Sequence, residues 1–206
     1  MMNEKHFNDN KPTKITPETK SVADDDFTLY GSEITVLGIG NVILSDEGFG
    51  VRVVEYLAIN YDFPPEVNLV DGGTLGIELT QFVTGTKKLL VIDSINGGKA
   101  GGTKFRFENE EVAAHFQDKL SAHEVGIQDV LTMLDLTGKK IPQVTVIGAQ
   151  PCRVEAGVEL SPAMQKLLPE VAADALAELA KWGITAKKKS SPTTATDLSK
   201  VAECYS

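Results

Sequence analysis

Three residues whose side chains could bind a metal ion or activate water are spread along the chain. Glu47 lies between a predicted strand and a predicted helix, Asp93 directly follows a predicted strand, and His123 begins a predicted helical segment. Two carboxylates and one imidazole suit a borderline divalent cation such as zinc or nickel, with coordination positions left over. Strand-end acids also commonly cap helices, and a lone histidine is commonly a loop residue. The residue types alone therefore leave both interpretations open.

The elements that would position these side chains are predicted from hydrophobic periodicity and from turn residues. Short apolar segments at 34–37, 67–70, 88–92, 103–107 and 143–147 predict five strands. Helical patterns begin near Ser45-Asp46 and cover 77–83 and 124–134, and a last helix runs from Ser161-Pro162 to Trp182. Strands that alternate with helices predict a doubly wound α/β fold with a mostly parallel five-stranded sheet and helices on both faces.

One connection in this pattern is too short for a parallel return. Only the glycine-rich segment 94–102 separates the third and fourth predicted strands, whereas a parallel crossover needs about a dozen residues or more. The fourth strand is therefore predicted to be antiparallel and to lie at an edge. If the first and third strands are neighbours at the topological switch point, Glu47 and Asp93 face one crevice at the carboxyl edge, and His123 can lean over it.

Composition limits the classes of function. The chain has 206 residues and a net charge of −9, which disfavours nucleic-acid binding. It has no apolar segment of the roughly 20 residues that a membrane span needs and no apolar signal-peptide core, so we expect a cytoplasmic protein without membrane insertion. Polar composition predicts a disordered arm at 1–32 and a flexible tail at 186–206, around an α/β domain at 33–185.

Several familiar catalytic patterns do not fit. The segment after the first strand lacks the third glycine of a dinucleotide fingerprint, and Asp46-Glu47 would repel a pyrophosphate, so no nucleotide is expected. His123-Glu124 lacks the second histidine of a zinc-protease helix, and no serine lies in a G-x-S-x-G elbow. Asp46 is interpreted as a helix cap, and Cys152 as a buried or half-buried structural thiol.

Four motifs in order carry a family resemblance: LGIGNVILSDEGFGVRVVE, VDGGTLGIEL, VIDSINGG and SAHEVGIQDVL. Together they resemble the hydrogenase maturation proteases, the endopeptidases that process the large subunit of [NiFe] hydrogenases. The resemblance covers 34–183, which is essentially the whole predicted domain. A single G-x-G-N motif would carry little weight, but four motifs in the same order are specific.

The resemblance implies roles for individual residues. Glu47, Asp93 and His123 match the metal-binding positions of the family, and Asp93 and Glu47 are also the candidates for activating water, as in the aspartic-type peptidases with which the family is grouped. The segment Asp71-Gly72-Gly73-Thr74 matches a motif associated with substrate recognition or cleavage. Phe49 and Gln150 flank the site and are candidates for selecting one hydrogenase isoform.

The resemblance also implies a reaction and a partner. Family members remove a short C-terminal peptide from the large-subunit precursor after nickel has been inserted, so the nickel is expected to arrive with the precursor. We expect the protein to act as a monomer on this partner. The alternative is a nickel-binding checkpoint or delivery protein that uses the same three residues without hydrolysis. A precursor that is bound but never shortened would favour that alternative.

Overall fold

The computed structural model describes residues 32–117 and 126–191. Seven strands lie in this part of the chain, in the order β1 (Ile34–Ile39), β2 (Tyr61–Asp62), β3 (Val67–Gly73), β4 (Lys88–Ser94), β5 (Lys104–Glu108), β6 (Gln143–Ala149) and β7 (Lys187–Lys188). Five of them form one sheet with the order β3-β1-β4-β6-β5, and β2 pairs with β7 separately. The mostly parallel sheet of the sequence prediction is confirmed.

Within the described residues, five α-helices cover the sheet: α1 (Phe49–Asn60), α2 (Thr80–Val83), α3 (Glu110–Gln117), α4 (Ile127–Leu136) and α5 (Pro162–Lys181). Two 3-10 turns, Ser45–Gly48 and Ile77–Leu79, lead into α1 and α2. The apolar faces of α1 and α5 form a core on one side of the sheet, and α2, α3 and α4 form a second core on the other. Helices on both faces are therefore confirmed.

The central strand shows why the sheet is covered on both sides. All four residues from Leu89 to Ile92 are fully buried in β4, so neither of its faces is solvated. β5 runs antiparallel to β6 at the end of the sheet, as the short connection after β4 predicts. Its alternation of charged and aromatic residues, Lys104 to Glu108, is typical of an edge strand with one face on a core.

Two features of the chain differ from the sequence prediction. β4 continues through Asp93 and Ser94, which pair with Gly148 and Ala149 of β6, so Asp93 lies within the strand instead of beyond it. The segment 108–122, predicted only as polar, contains α3, whose Val112 packs into the second core. Polar residues outnumber apolar ones in this segment, so its periodicity was too weak to predict the helix.

The ends of the chain lie partly outside the described residues. Most of the predicted N-terminal arm, 1–31, is outside them, and so is 192–206 of the predicted tail. The first part of the predicted tail is described: Lys187–Lys188 form β7, and Lys189 N donates to Asn60 O at 2.9 Å. The described chain therefore continues in contact with the domain past the predicted boundary at 185. Within the described residues, no helix combines the length and apolar character needed to cross a membrane.

Candidate active site

Glu47 is held in a tight 3-10 turn between β1 and α1. Gly40, which has a φ of 132°, makes this turn possible, because a Cβ atom on it would lie 2.0 Å from the backbone oxygen of Glu47. Ser45 adopts a left-handed φ of 54°, which is uncommon for a residue with a side chain. Glu47 is partly buried, and its Oε2 atom is withdrawn from solvent. The sequence G-x-G-N therefore positions a carboxylate at this turn.

A second glycine places the start of α1 against the ends of two strands. A Cβ on Gly50 would lie 2.1 Å from Ile92 O and 2.4 Å from Ile39 O, so only glycine allows the helix to approach β1 and β4 this closely. Glu47 lies three residues before Gly50, and Asp93 follows Ile92 in the chain. The first and third predicted strands are hydrogen-bonded neighbours, as expected. Both carboxylates therefore lie at the carboxyl edge of the sheet.

Asp93 is oriented by its own strand end. Ser94 N donates a hydrogen bond of 2.7 Å to Asp93 Oδ1, and the residue is partly buried. Its backbone pairs with Gly148, where a Cβ would lie 2.1 Å from Asp93 O. The side chain is therefore carried by a rigid central strand, which is the kind of support that a catalytic or ligating carboxylate needs.

His123, the third predicted ligand, lies outside the described residues. The chain is described again from Gly126, whose N–H donates to Asp129 Oδ2 at 2.9 Å at the start of α4. α4 begins at Ile127, and the predicted helix start at 124 lies outside the described residues. Within the described part of the chain, no group of three His, Cys, Asp or Glu residues is arranged to hold a metal ion.

The segment from Asp71 to Thr74 lies at the carboxyl end of β3, which is the outermost strand on one side of the sheet. It is therefore at the same carboxyl edge as Glu47 and Asp93. Gly40 N donates to Gly73 O at 2.9 Å, which joins this segment to the loop that leads to Glu47. Asp71 Oδ1 accepts a hydrogen bond of 3.0 Å from Gly73 N. Although Asp71 is exposed as a whole residue, partial withdrawal of its carboxyl from water raises its pKa, and the bond from Gly73 offsets part of that effect.

Comparison with known proteins identifies the family. Residues 51–178 match the family model described as hydrogenase maturation protease. The chain belongs to the hydrogenase maturation protease family. Within this family it is 38% identical over 154 residues to the hydrogenase 2 maturation protease of Escherichia coli, which covers 74% of this chain and 94% of that protein. It is also 40% identical over 157 residues to the hydrogenase expression/formation protein HupD of Rhodobacter capsulatus, with 75% of each chain covered.

The fold of the hydrogenase maturation proteases agrees with this assignment. The solved structure of the hydrogenase maturating endopeptidase HybD from Escherichia coli superposes with a TM-score of 0.73 at 36% identity, covering 77% of this chain and 98% of that one. A [NiFe] hydrogenase maturation protease HycI from Thermococcus kodakarensis has the same fold, with a TM-score of 0.59 at 23% identity and coverage of 73% and 93%. The resemblance of the four motifs to this family is therefore confirmed.

Asp46 has a different role in this maturation protease from the one predicted. Neither the 3-10 turn nor α1 has a side-chain cap, so the interpretation as a helix cap is wrong. The fully buried carboxylate accepts hydrogen bonds of 3.0 Å from Cys152 N and Arg153 N and of 2.6 Å from Ser161 N. It also accepts one of 2.9 Å from Ser161 Oγ. Asp46 therefore anchors the loop between β6 and α5.

No local signal in the sequence could have identified these partners. Asp46 is separated by 106 residues from Cys152 and by 115 from Ser161. An acidic residue at the start of a helix satisfies the usual rule for a cap, and that rule favoured the wrong interpretation. These hydrogen bonds form because the sheet brings the ends of β1 and β6 to the same edge.

Three further predictions about residues near the site need correction. Cys152 is exposed, because it lies in the loop after β6 and not in the core. Phe49 is fully buried and fills the core beneath α1, so it cannot contact a partner. Gln150 is also buried, and its side chain accepts hydrogen bonds from Gly97 N and Lys99 N at 2.9 and 3.1 Å. Phe49 and Gln150 therefore support the site from behind and do not select isoforms by contact.

Proposed function

We propose that this protein is an endopeptidase that removes a short C-terminal peptide from the nickel-loaded large-subunit precursor of a [NiFe] hydrogenase. The observation that carries the proposal is the match to the hydrogenase 2 maturation protease over 94% of that protein. The similarity to the endopeptidase HybD extends over 98% of its structure. No comparison supports the alternative of a non-hydrolytic nickel checkpoint or delivery protein.

We assign recognition of the precursor-borne nickel to Glu47, Asp93 and His123. The proposal is supported by the common location of the two carboxylates at the carboxyl edge, where open α/β sheets bind ligands. Two oxygen donors and one imidazole nitrogen suit a borderline divalent cation. Only three donors come from the protease, so the nickel can keep ligands from the precursor itself. In this arrangement the metal belongs to the substrate, and its presence marks a precursor that is ready to be cut.

We assign activation of the attacking water to Asp93 or Glu47, as in aspartic-type peptidases. A general base must hold its carboxylate in a fixed orientation, and the bond from Ser94 N orients that of Asp93. Glu47 is fixed by the tight turn that Gly40 permits. Both residues are thus carried by rigid backbone, and exchange of one oxygen for an amide nitrogen would remove basicity with little change of shape.

We assign substrate recognition to the segment Asp71-Gly72-Gly73-Thr74. The segment ends an edge strand whose outer side has no partner strand within the described residues, and it is bonded to the loop before Glu47. Gly72 is buried against Leu37 and Leu79, where a Cβ would lie 2.8 and 2.9 Å from their side chains. Gly72 thus holds the segment close to the core, and the outer side of the strand can lie beside an extended peptide. The cytoplasmic location and the monomeric state stay predictions, which fractionation and sedimentation would test.

The test is incubation of the purified protein with nickel-loaded and with nickel-free precursor, followed by mass spectrometry of the products. We expect a defined C-terminal peptide to be released only from the loaded precursor. Glu47→Gln, Asp93→Asn and His123→Ala should each lower the cleavage rate by about a hundredfold or more without changing the melting temperature. Asp135→Asn, which changes an exposed carboxylate on α4, is the matched control and should cleave normally.

Two results would contradict this proposal. A correctly loaded precursor that binds but is never shortened would make the protein a nickel-dependent binding partner. Losses of activity that follow losses of stability in all three variants would mean that the residues have structural roles only. Normal melting combined with lost cleavage separates a site residue from a structural one.

A further inference from the structure

Three large apolar side chains are exposed on two loops beside the proposed active site. Ile43 is 62% exposed, Val154 56% and Val158 61%. Ile43 lies in the loop that leads into the Glu47 turn, and the two valines lie in the loop after β6. All residues from 152 to 159 are exposed, so this part of the loop buries none of its side chains in the core. Grouped exposed apolar residues on a soluble protein commonly mark a binding surface.

The two loops, 41–44 and 152–160, are called here the paired loops, because backbone hydrogen bonds join them. Gly157 N donates to Ile43 O at 3.0 Å, and Ser45 N donates to Gly157 O at 2.7 Å. Ser45 Oγ donates to Glu155 O at 2.8 Å. Gly157 thus lies beside Val158 in one loop and contacts Ile43 in the other. Ile43 and Val158 therefore lie on bonded segments of one surface, and Val154 lies in the same loop as Val158.

The paired loops are held in one conformation before any partner binds. Asp46 fixes both ends of 152–161 through its bonds to Cys152, Arg153 and Ser161. Ser45 keeps a left-handed φ of 54° while it makes its bonds to the second loop. Backbone strain of this kind persists only where the surroundings determine it strongly. A loop that is ordered in advance loses less entropy when it binds a partner.

A groove continues this surface along α1. It has a volume of about 410 Å³ and extends from Val158 to Ile59, near the end of the helix. Tyr56, Leu160 and Leu168 line its floor, and Arg52 lies on its rim, where Nη2 donates to Val158 O at 3.3 Å. An apolar floor with a polar rim is the usual arrangement of a protein-binding surface.

We propose that the paired loops and this groove form the docking surface for the body of the hydrogenase large-subunit precursor, which binds there through an apolar surface segment. The proposal rests on the proposed function, because the occupant is the protein that is cleaved. Its location supports this choice: Ile43 lies four residues before Glu47 on the same loop. A precursor whose C-terminal segment reaches Glu47 would lie next to Ile43, so we assign both contacts to one interface.

The experiment compares charge-introducing variants at matched exposed positions. Val154→Asp and Val158→Asp place a carboxylate in the docking surface, and Leu136→Asp makes the same kind of change at the end of α4. Leu136 is 81% exposed and lies on the other face of the sheet, toward the amino ends of the strands. Cleavage of nickel-loaded precursor gives kcat and KM, and binding of the same precursor is measured in parallel.

We expect Val154→Asp and Val158→Asp each to raise KM and weaken precursor binding by about tenfold, with kcat changed by less than about twofold. Leu136→Asp should change neither constant. The two loop variants are on exposed side chains, so their melting temperatures should match that of the wild type. A pure loss of kcat, or an equal effect of Leu136→Asp, would overturn the proposal.

The outcomes separate this proposal from the proposed function. If the wild type cleaves loaded precursor and the loop variants keep its KM, the docking surface is wrong and the endopeptidase stands. If the wild type binds without cleaving and the loop variants lose binding, the endopeptidase is wrong and the docking surface stands. Unchanged KM with altered sedimentation would assign the surface to a second copy of the chain. Unchanged KM with altered melting would assign it to a segment of the same chain, and either result overturns the proposal.

Discussion

Asp46 and Glu178 are both almost fully buried carboxylates, with exposures of 0% and 3%, but their partners are of different kinds. Among the described residues, Asp46 accepts hydrogen bonds only from neutral groups, the N–H groups of Cys152, Arg153 and Ser161 and the hydroxyl of Ser161. Glu178, on α5, accepts from two cations, Arg106 at 3.0 Å and Lys181 at 2.8 Å, and more weakly from the Thr145 hydroxyl at 3.4 Å. One carboxylate therefore fixes backbone, and the other balances charge.

The difference teaches how each region can respond to change. The donors around Asp46 belong to backbone that cannot move away without moving the loop, so this carboxylate determines the conformation of 152–161. The charged partners of Glu178 are 40% and 60% exposed side chains, which water can hydrate if the contact is lost. Glu178 secures the edge strand β5 to α5, whereas Asp46 determines the geometry beside the proposed site.

The largest effect is expected from Asp46→Ala, which removes the acceptor of four donors. The exposed amides of Cys152 and Arg153 can turn to water, but Ser161 is buried and its N–H cannot, so we expect a loss of about 2–4 kcal/mol of unfolding free energy. Urea unfolding measures it. The loss should be independent of salt, because all four of these donors are neutral.

Asp46→Asn tests whether this carboxylate also acts on the precursor. The amide keeps the shape but only one acceptor oxygen, so the paired loops should become less ordered and KM for loaded precursor should rise, with kcat less affected. The comparison is made well below the melting temperature of the variant. Glu178→Gln is the matched control and should leave KM unchanged. If Asp46→Asn and Glu178→Gln raised KM equally, the proposed difference between the Asp46 and Glu178 regions would be wrong.

A smaller effect is expected from Glu178→Gln, which should lower the unfolding free energy by about 1–2 kcal/mol at pH 7. Burial acts to raise the pKa of Glu178, but the hydrogen bonds and charges of Lys181 and Arg106 outweigh it and hold the pKa below its ordinary value. The ionised form therefore stabilises the folded protein at neutral pH, and this contribution is lost as the pH falls through the folded-state pKa.

Unfolding in urea across a pH series checks that prediction. The difference in unfolding free energy between wild type and Glu178→Gln should have its full value at pH 7. It should become smaller as the pH falls below about 4.5, the ordinary pKa of the group. Added salt at about 1 M should narrow it too, since screening weakens partly exposed ion pairs. A difference that grows with acid would mean that the charge of Glu178 is not what stabilises the contact.

The sheet and its edge strand could be predicted because their signals are local. The apolar segment Leu89 to Ile92 is buried on both faces, and the length of 94–102 alone decides that β5 is antiparallel. The N-cap of α5 was equally local, because Ser161 Oγ accepts from Met164 N and proline follows it. Such features depend on a few neighbouring residues, which a sequence displays directly.

The parts of the candidate site that could not be predicted depend on contacts between distant segments. The exposure of Cys152 and the burial of Phe49 follow from where β6 ends and from how closely Gly50 lets α1 approach the sheet. The partners of Asp46 lie more than a hundred residues away. The place of Glu47 and Asp93 at one edge was predictable from topology, whereas the loop that borders them was not.

The smallest effect is expected from Ser161→Ala, which separates the two tasks of the Asp46 anchor. The variant loses the hydroxyl bond to Asp46 Oδ2 and the weak cap bond to Met164 N at 3.4 Å, but Ser161 N keeps its bond to Asp46 Oδ1. We expect the unfolding free energy to fall by about 1 kcal/mol. Combined with Asp46→Asn, the two losses should be less than additive, because both substitutions break the same bond. Strict additivity in the urea midpoints would show that the hydroxyl contributes to stability only through the helix cap.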